Sequence, residues 1–85
     1  MKGEGEFLMA RVKVSLYATL RRHIGGKPSI EVDVDPGQTV GQVLDRLGVP
    51  AEHTRIIFIN SRAAELSSVL QGGEQLGIFP AIGGG

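Results

Sequence analysis

The sequence contains no cysteine and no tryptophan, and aromatic residues make up only 5% of its 85 residues. Without cysteine the chain has no disulfide, no thiolate nucleophile and no cysteine-based metal site. Histidine is also scarce, because His23 and His53 are the only two and stand far apart with no ligand motif around either. We therefore expect two solvated or structural histidines rather than a metal-binding pair.

The sequence also has no excess of charge of either sign and no long apolar run. Nine basic and nine acidic side chains cancel, which argues against a nucleic-acid partner, since such a partner requires a basic face. No apolar run approaches the ~20 residues that a membrane-spanning helix needs, and no apolar core of a signal peptide is visible. We expect one domain that binds neither nucleic acid nor membrane and lies in the cytoplasm.

Two segments near the N-terminus alternate between apolar and polar residues. Arg11–Tyr17 and Ser29–Val34 both show the period of a half-buried strand, and we expect them to pair antiparallel. Between them, Ala18–Ile24 loses the alternation and predicts a short helical turn closed by Gly25 and Gly26. The predicted inward residues of the two strands are Val12, Val14, Leu16, Ile30, Val32 and Val34.

The strongest helix signal covers Thr39–Leu47. Thr39 and Gln42 have the spacing of a capping box, in which each side chain accepts from the other's backbone N–H. Gly48 supplies a left-handed end, and Pro50 prevents continuation. The predicted apolar face, at positions i, i+3, i+4 and i+7, consists of Val40, Val43, Leu44 and Leu47.

Three later segments predict strands. Ile56–Ile59 is a continuous apolar run, which suits a strand covered on both faces, or one covered on one face and exposed to a partner on the other. Ala63–Leu66 predicts a short edge strand. Gln75–Phe79 predicts the last strand, in which alternate residues face the core and Phe79 faces away. An outward Phe79 is a candidate docking surface.

This order predicts an α+β fold with a mixed sheet packed on one main helix. The first and last strands are expected to lie side by side at the centre of the sheet, so that the C-terminus points outward. We expect residues 1–9 to form a flexible N-terminal segment, in which Met1 or Met9 is the true start. Residues 10–80 form the domain, and residues 81–85 form a flexible glycine tail.

The tail has two interpretations. Gly83, Gly84 and Gly85 carry no side chains, so they pack no core but can enter a channel too narrow for other residues. The α-carboxylate of Gly85 is then a reactive group delivered into another protein's active site. Alternatively, the glycines are a frayed end or a linker. The apolar Phe79–Ile82, joined tightly to a strand, favours the first interpretation.

The order of elements and the ending resemble the ubiquitin-like sulfur carriers of the MoaD/ThiS type, which have the β-grasp fold. The small subunit of molybdopterin synthase is the most similar member. The residues that carry the resemblance are Val12–Arg21, Thr39–Leu47, Gly73–Pro80 and the terminal Gly84-Gly85. The chain departs from the usual pattern at Ala81, where the family often has proline, and at Gly83, where it often has alanine.

The resemblance implies a function as a sulfur carrier. An activating enzyme similar to ubiquitin E1 is expected to use ATP and magnesium to adenylate Gly85. A persulfide sulfur donor then converts the adenylate into a thiocarboxylate, which gives its sulfur to a pterin in the large subunit of molybdopterin synthase. In this view the chain binds no cofactor and supplies no catalytic acid, base or metal. Its tail is Gly83 and Gly84, and its expected partner-binding residues are Phe79, Pro80 and Ile82.

Three alternatives stay open. The first is a sulfur carrier for another product, such as the thiazole of thiamine. The second is a protein modifier that forms isopeptide bonds through Gly85. The third is a plain β-grasp interaction module, against which the terminal glycines argue. The sequence does not separate the first two from the role in molybdopterin synthesis.

Overall fold

A computed structural model describes residues 10–81 of the chain. The elements in chain order are β1 (Ala10–Leu16), the 3-10 helix η1 (Ala18–Ile24), β2 (Ser29–Val34), α1 (Val40–Arg46), the 3-10 helix η2 (Ala51–His53), β3 (Thr54–Ile59), β4 (Arg62–Ala64) and β5 (Gln75–Pro80). The predicted strands, the helical turn at Ala18–Ile24 and the main helix are all present.

The five strands form one mixed sheet in the order β2-β1-β5-β3-β4. Strand β1 pairs antiparallel with β2 and parallel with β5, while β3 pairs antiparallel with both β5 and β4. The first and last strands therefore lie side by side inside the sheet, as the sequence predicts. Because β5 is central, the chain leaves the sheet from its middle and not from an edge.

The hydrophobic core lies between one face of the sheet and α1. Alternate residues of β1 and β5 point into it, and η1 and the segment before β5 close its sides. No polar or charged residue in the described range 10–81 is buried. The fully buried members with the largest side chains are Leu16, Leu20, Leu44, Leu70, Leu76, Ile78, Val12, Val14, Val40 and Val43.

The predicted capping box starts α1. The Thr39 hydroxyl accepts from the Gln42 backbone N–H at 3.2 Å, and the Gln42 side-chain oxygen accepts from the Thr39 N–H at 2.8 Å. Gly48, at φ +78°, follows the end of the helix in the left-handed region that favours glycine. Gly41 faces a close backbone approach, since a Cβ there would lie 3.3 Å from the Leu66 carbonyl oxygen. That backbone belongs to the segment after β4 and not to a strand.

Strand β4 is shorter than the predicted Ala63–Leu66. It starts directly after the two-residue turn Asn60-Ser61, whose positive φ values of 51° and 69° suit a tight hairpin. It ends at Ala64 because the chain then crosses to α1, where the Leu66 carbonyl accepts from the Gly41 N–H at 2.9 Å. The helix η2 is not predicted by the sequence, because its three residues are too few to show a period.

Within the described residues, no helix is both long enough and apolar enough to cross a membrane.

Leu44 tests the packing of α1 on the sheet. Its side chain is 1% exposed, so we expect Leu44→Ala to lower the free energy of unfolding by about 2–5 kcal/mol, through lost burial and a residual cavity. Urea denaturation measures this value. Val69→Ala is the matched control, because Val69 is 50% exposed and its truncation should cost less than ~1 kcal/mol. A cost near zero for Leu44→Ala would contradict the fold.

Candidate functional site: the outer face of the sheet beside the tail

Three aromatic side chains meet on the outer face of the sheet, opposite α1. We call Tyr17, Phe58 and Phe79 the aromatic cluster. The rings of Tyr17 and Phe79 are stacked with centroids 4.2 Å apart and planes at 0°. The ring of Phe58 stands edge-on to Phe79, with centroids 6.0 Å apart and planes at 87°. All three are half-buried and lie outside the core, so the predicted outward orientation of Phe79 is confirmed.

The strand register explains why these residues meet. Phe58 lies opposite Gly77, and Ile56 lies opposite Phe79, on the β3–β5 pair. Tyr17 follows the last paired residue of β1, and its N–H donates to the carbonyl of Ile78 at 3.2 Å. Side chains of the same parity on adjacent strands share a face, so the cluster forms on the side away from the core.

The Tyr17 ring is also supported from η1. The guanidinium carbon of Arg21 lies 5.8 Å from the centroid of this ring, within range of a cation–π interaction. The Arg21 Nε donates to the carbonyl of Leu16 at 3.0 Å, which fixes the guanidinium beside the ring. Tyr17 is therefore in contact with both the Arg21 cation and the Phe79 ring.

A recess of about 300 Å³ opens next to the cluster, with Gly77 in its lining. Because Gly77 has no side chain, the space between Tyr17 and Phe58 stays open. A Cβ at Gly77 would lie 3.7 Å from Cε2 of Tyr17 and 4.0 Å from Cβ of Phe58, both ordinary contact distances. The polar side of the recess is formed by Ser15, Ser61 and Gln75.

Strand β3 is covered on one face and exposed on the other. Ile57 is buried in the core, whereas Ile56 is 46% exposed and lies beside Phe79. Of the two alternatives for the Ile56–Ile59 run, the structure therefore has the one-sided strand. Ile56 extends the apolar surface of the aromatic cluster.

Charge and apolar surface are separated along the outer face. At the far end, Arg11 pairs with Asp33 at 3.2 Å and with Glu31 at 3.5 Å. These exposed ion pairs contribute little stability, but they keep that end of the face hydrophilic. The apolar end is the one from which the tail leaves.

Pro80, the last residue of β5, separates the aromatic cluster from the tail. Pro80 lies opposite Thr54, and the N–H of Ala81 donates to the carbonyl of His53 at 2.9 Å. A second recess, lined by side chains that include Thr19, Arg22 and Glu52, lies beside Pro80 and Ala81. The predicted site residues Ile82, Gly83, Gly84 and Gly85 lie outside the described residues.

The two histidines lie in different elements of the described structure. In the range 10–81, no group of three or more His, Asp or Glu side chains is arranged to hold a metal ion. His23 belongs to η1, and His53 is exposed at the end of η2.

A model of the ThiS family matches residues 14–85 of this sequence. The chain belongs to the ThiS family. It is therefore a member of the ubiquitin-like sulfur carrier proteins, and the resemblance inferred from the sequence is confirmed at this level.

Relatives agree with the family and with the fold. Small archaeal modifier protein 1 of Haloferax volcanii is 32% identical in an alignment 84 positions long, which covers 82% of this chain and 95% of that protein. Its crystal structure matches with a TM-score of 0.70 and 28% identity, covering 86% of this chain and 99% of that one. The chain is thus similar to an archaeal modifier protein over nearly that protein's whole length.

Two further structures share the fold alone. One is the putative molybdopterin converting factor subunit 1 of Pyrococcus furiosus, with a TM-score of 0.67, 19% identity and coverage of 86% of this chain and 99% of that one. The other is a complex of subunits 1 and 2 of the molybdopterin-converting factor from Helicobacter pylori, with a TM-score of 0.58, 15% identity and coverage of 88% and 99%. Both neighbours support the β-grasp fold.

The sequence singled out Phe79, Pro80 and part of the Ile56–Ile59 strand but missed Tyr17 and the gap at Gly77. The structure shows that Ile56 and Phe58 are the members of that strand beside Phe79. The available signal was the alternation of inward and outward residues, because each of these positions lies one residue away from a core residue. Alternation within a strand does not predict the register between β3 and β5, and this register decides which outer residues touch.

Gly77→Ala tests whether the recess is needed for folding. The added methyl group meets Tyr17 and Phe58 only at ordinary contact distances, and alanine restricts the unfolded chain more than glycine does. We expect the free energy of unfolding to stay unchanged or to rise by up to about 1 kcal/mol. Urea denaturation measures the free energy of unfolding. A decrease of more than about 1 kcal/mol in Gly77→Ala would show that the face is too tightly packed to hold an open recess.

Proposed function

We propose that this protein is a sulfur carrier whose Gly85 α-carboxylate is adenylated and then converted to a thiocarboxylate. The observation that carries the proposal is the course of β5, which runs through the middle of the sheet and ends at Pro80, directly before the glycine-rich segment. Membership of the ThiS family supports it, and the family match extends through Gly85. The proposal requires Gly85 to carry a free α-carboxylate.

The chemistry follows from the weakness of a carboxylate as an electrophile. An E1-like enzyme with ATP and magnesium joins the Gly85 carboxylate to AMP and releases pyrophosphate. The terminal sulfur of a persulfide then attacks the acyl carbon, and AMP leaves. A thiol cleaves the resulting acyl disulfide at its S–S bond and leaves the thiocarboxylate on Gly85. This chain contributes the carboxylate and a slender tail, while the partners contribute the catalytic groups and the magnesium nucleotide.

We assign the product to molybdopterin synthesis, with this chain as the small subunit of molybdopterin synthase. The thiocarboxylate then gives its sulfur to a pterin bound in the large subunit. The support is the likeness of the sequence to this subunit and the shared fold of the two molybdopterin-converting factor neighbours. The thiazole of thiamine is another sulfur-containing product that the same chemistry would serve.

A second function, protein modification, is favoured by a different observation. The relative with 32% identity is named as a small archaeal modifier protein. The same Gly85 adenylate would then be attacked by a lysine amine of a target protein, and AMP would leave as an amide bond forms. Covalent adducts of this chain on other proteins, found by mass spectrometry of cell extracts, would distinguish modification from sulfur delivery.

The docking surface of the proposal is the apolar end of the outer face. Phe79, Pro80 and Ile82 are the expected partner-binding residues, and Ile56 adds exposed apolar area beside Phe79. Partners that handle the tail must approach this end of the sheet, because Pro80 and Ala81 leave from it. Aromatic residues at such positions often dominate the affinity of an interface.

Phe79→Ala tests the docking surface. We expect the variant to stay folded, since Phe79 lies outside the core, and to bind the E1-like enzyme or the large subunit more weakly by at least about 1 kcal/mol, roughly fivefold. Isothermal titration calorimetry measures the affinity, and circular dichroism checks the fold.

Two further variants serve as a control and as a test of the recess. Val69→Ala, which truncates an exposed apolar residue that bridges to Thr39, should leave the affinity unchanged. Gly77→Ala, which fills the recess beside Phe79, should weaken binding if a partner enters the recess. An unfolded Phe79→Ala, or one that binds as tightly as the wild type, would contradict the assignment of Phe79 as an anchor.

The central prediction is that activity requires an unextended Gly85. One added residue moves the electrophile by roughly 3.5 Å, and a misplacement of about 1 Å can cost a hundredfold in rate. We expect a one-residue extension, deletion of Gly85 and Gly84→Val each to abolish adenylation or sulfur transfer, without a change in the free energy of unfolding. The assay is ATP-dependent AMP release with the E1-like enzyme, followed by mass detection of the thiocarboxylate.

The control for this series is the intact mass of each variant before and after the assay, which reveals trimming. An extended protein that gains sulfur while it keeps its added residue would overturn the proposal.

A further inference from the structure

Along the edge of β5 that faces β1, pairing stops before the strand ends. The last contact is the hydrogen bond from the Tyr17 N–H to the carbonyl of Ile78, at 3.2 Å. The chain then turns away at Ala18, whose φ of +54° is unusual for a residue other than glycine, and enters η1. Beyond Ile78, β1 therefore offers β5 no further partner.

Along the opposite edge, pairing continues past the end of β5. Pro80 lies opposite Thr54, and the N–H of Ala81 donates to the carbonyl of His53 at 2.9 Å. In the described part of the chain, this is the last backbone hydrogen bond before Ile82. Among the described residues, the backbone at the root of the tail is thus hydrogen-bonded on one side only.

Packing of the Ala81 side chain does not replace this bond. The Ala81 side chain is exposed, and Pro80 has no N–H with which to pair. The position of Ala81 therefore depends on its hydrogen bond to the His53 carbonyl and on the restricted backbone of Pro80.

The carbonyl of His53 is itself fixed by the turn that contains it. The N–H of His53 donates to the carbonyl of Pro50 at 3.0 Å, and the hydroxyl of Thr54 donates to the carbonyl of Ala51 at 2.7 Å. Pro50, at φ −64°, restricts the start of the turn. The backbone N–H of Thr54 also donates to the Ala51 carbonyl, so three hydrogen bonds within the turn hold the acceptor in place.

We propose that Ala81, His53 and Thr54 form a tail clamp that positions the tail for its partner enzymes. The clamp fixes where the four residues after Ala81 start and in which direction they leave. This inference rests on the proposed function, and it assigns a positioning role to η2, to which neither the sequence nor the family match gives one. Its residues act through the tail and not on the reacting carboxyl group.

The physical benefit is pre-organisation. Four extended residues span at most about 14 Å, so a small change of direction at Ala81 moves the terminal carboxylate by several ångströms. Fixing the backbone of one residue before binding is worth roughly 5- to 30-fold in an equilibrium constant. The clamp should therefore act on the KM of the carrier and leave kcat at saturation little changed, since a bound partner holds the tail itself.

Amide hydrogen exchange of Ala81, followed by NMR, tests whether the clamp exists. We expect the Ala81 amide to exchange at least about tenfold more slowly than in a free peptide of the same sequence. Thr54→Val removes the hydroxyl that braces η2 and should speed this exchange. Thr19→Val is the matched control, because exposed Thr19 lines the recess beside Ala81 but takes no part in the clamp.

Kinetics with the E1-like enzyme test the positioning role. We expect Thr54→Val to raise the KM for the carrier by roughly 5- to 30-fold while kcat changes by less than about twofold. Thr19→Val should behave as the wild type in both. Urea denaturation should show both variants fully folded, with Thr54→Val slightly less stable than Thr19→Val because it loses one hydrogen bond.

Each result decides the matter. An unprotected Ala81 amide in the wild type would overturn the clamp. Faster exchange in Thr54→Val with an unchanged KM would overturn the positioning role, and no change in either would overturn the part given to Thr54. A wild-type protein that is never adenylated would overturn the proposed function and the positioning role together, while exchange at Ala81 would still show whether the clamp exists.

Discussion

The parallel pairing of β1 with β5 is the constraint on which the rest of the structure depends. Parallel strands need a long crossover, and here the connection carries β2, α1, β3 and β4 before the chain returns to the centre of the sheet. Glycine makes the return possible. A Cβ at Gly72 would lie 2.7 Å from the Cβ of Ala10, and Gly72 has φ +119°. Glu74 then closes the turn by accepting from the N–H groups of Gln71 and Gly72 at 2.8 and 2.7 Å.

The central position of β5 links the core, the docking surface and the tail. Its inward residues, Leu76 and Ile78, anchor it in the core, while the outward Phe79 completes the aromatic cluster. Pro80 then ends the strand, and Ala81 starts the tail. A central strand is a stable base for the tail, because such a strand separates from its neighbours only when the whole domain unfolds. The six residues of β5 therefore contribute both to the stability of the core and to the proposed presentation of Gly85 to partner enzymes.

Much of the fold could be predicted from the sequence because its signals are local. Alternation gave the inward residues of β1 and β2, and the Thr39–Gln42 spacing gave the start of α1. The close approach of Gly72 to Ala10, by contrast, is a tertiary contact that no local pattern shows. The short η2 and the end of β4 were missed, because both are decided by tertiary hydrogen bonds and not by a period.

The candidate site was predictable only in part. The outward position of Phe79 follows from the alternation within β5. Its stacking partner Tyr17 lies directly after β1, far away in sequence, and Phe58 reaches the cluster through a strand register that no local pattern encodes. The hydrogen bond between Ala81 and His53 is likewise made by backbone atoms, so it cannot be predicted from the type of side chain. The tail chemistry came from the resemblance to sulfur carriers, since glycine has no functional group other than its backbone.

The most direct test of the sulfur-carrier function is the intact mass of the protein purified from its own cell, with fragmentation to locate any modification. The account predicts a form in which one oxygen is replaced by sulfur, and it places that sulfur on the carboxyl group of Gly85. A sulfur atom located on any other residue, or a chain found only with further residues after Gly85, would contradict it.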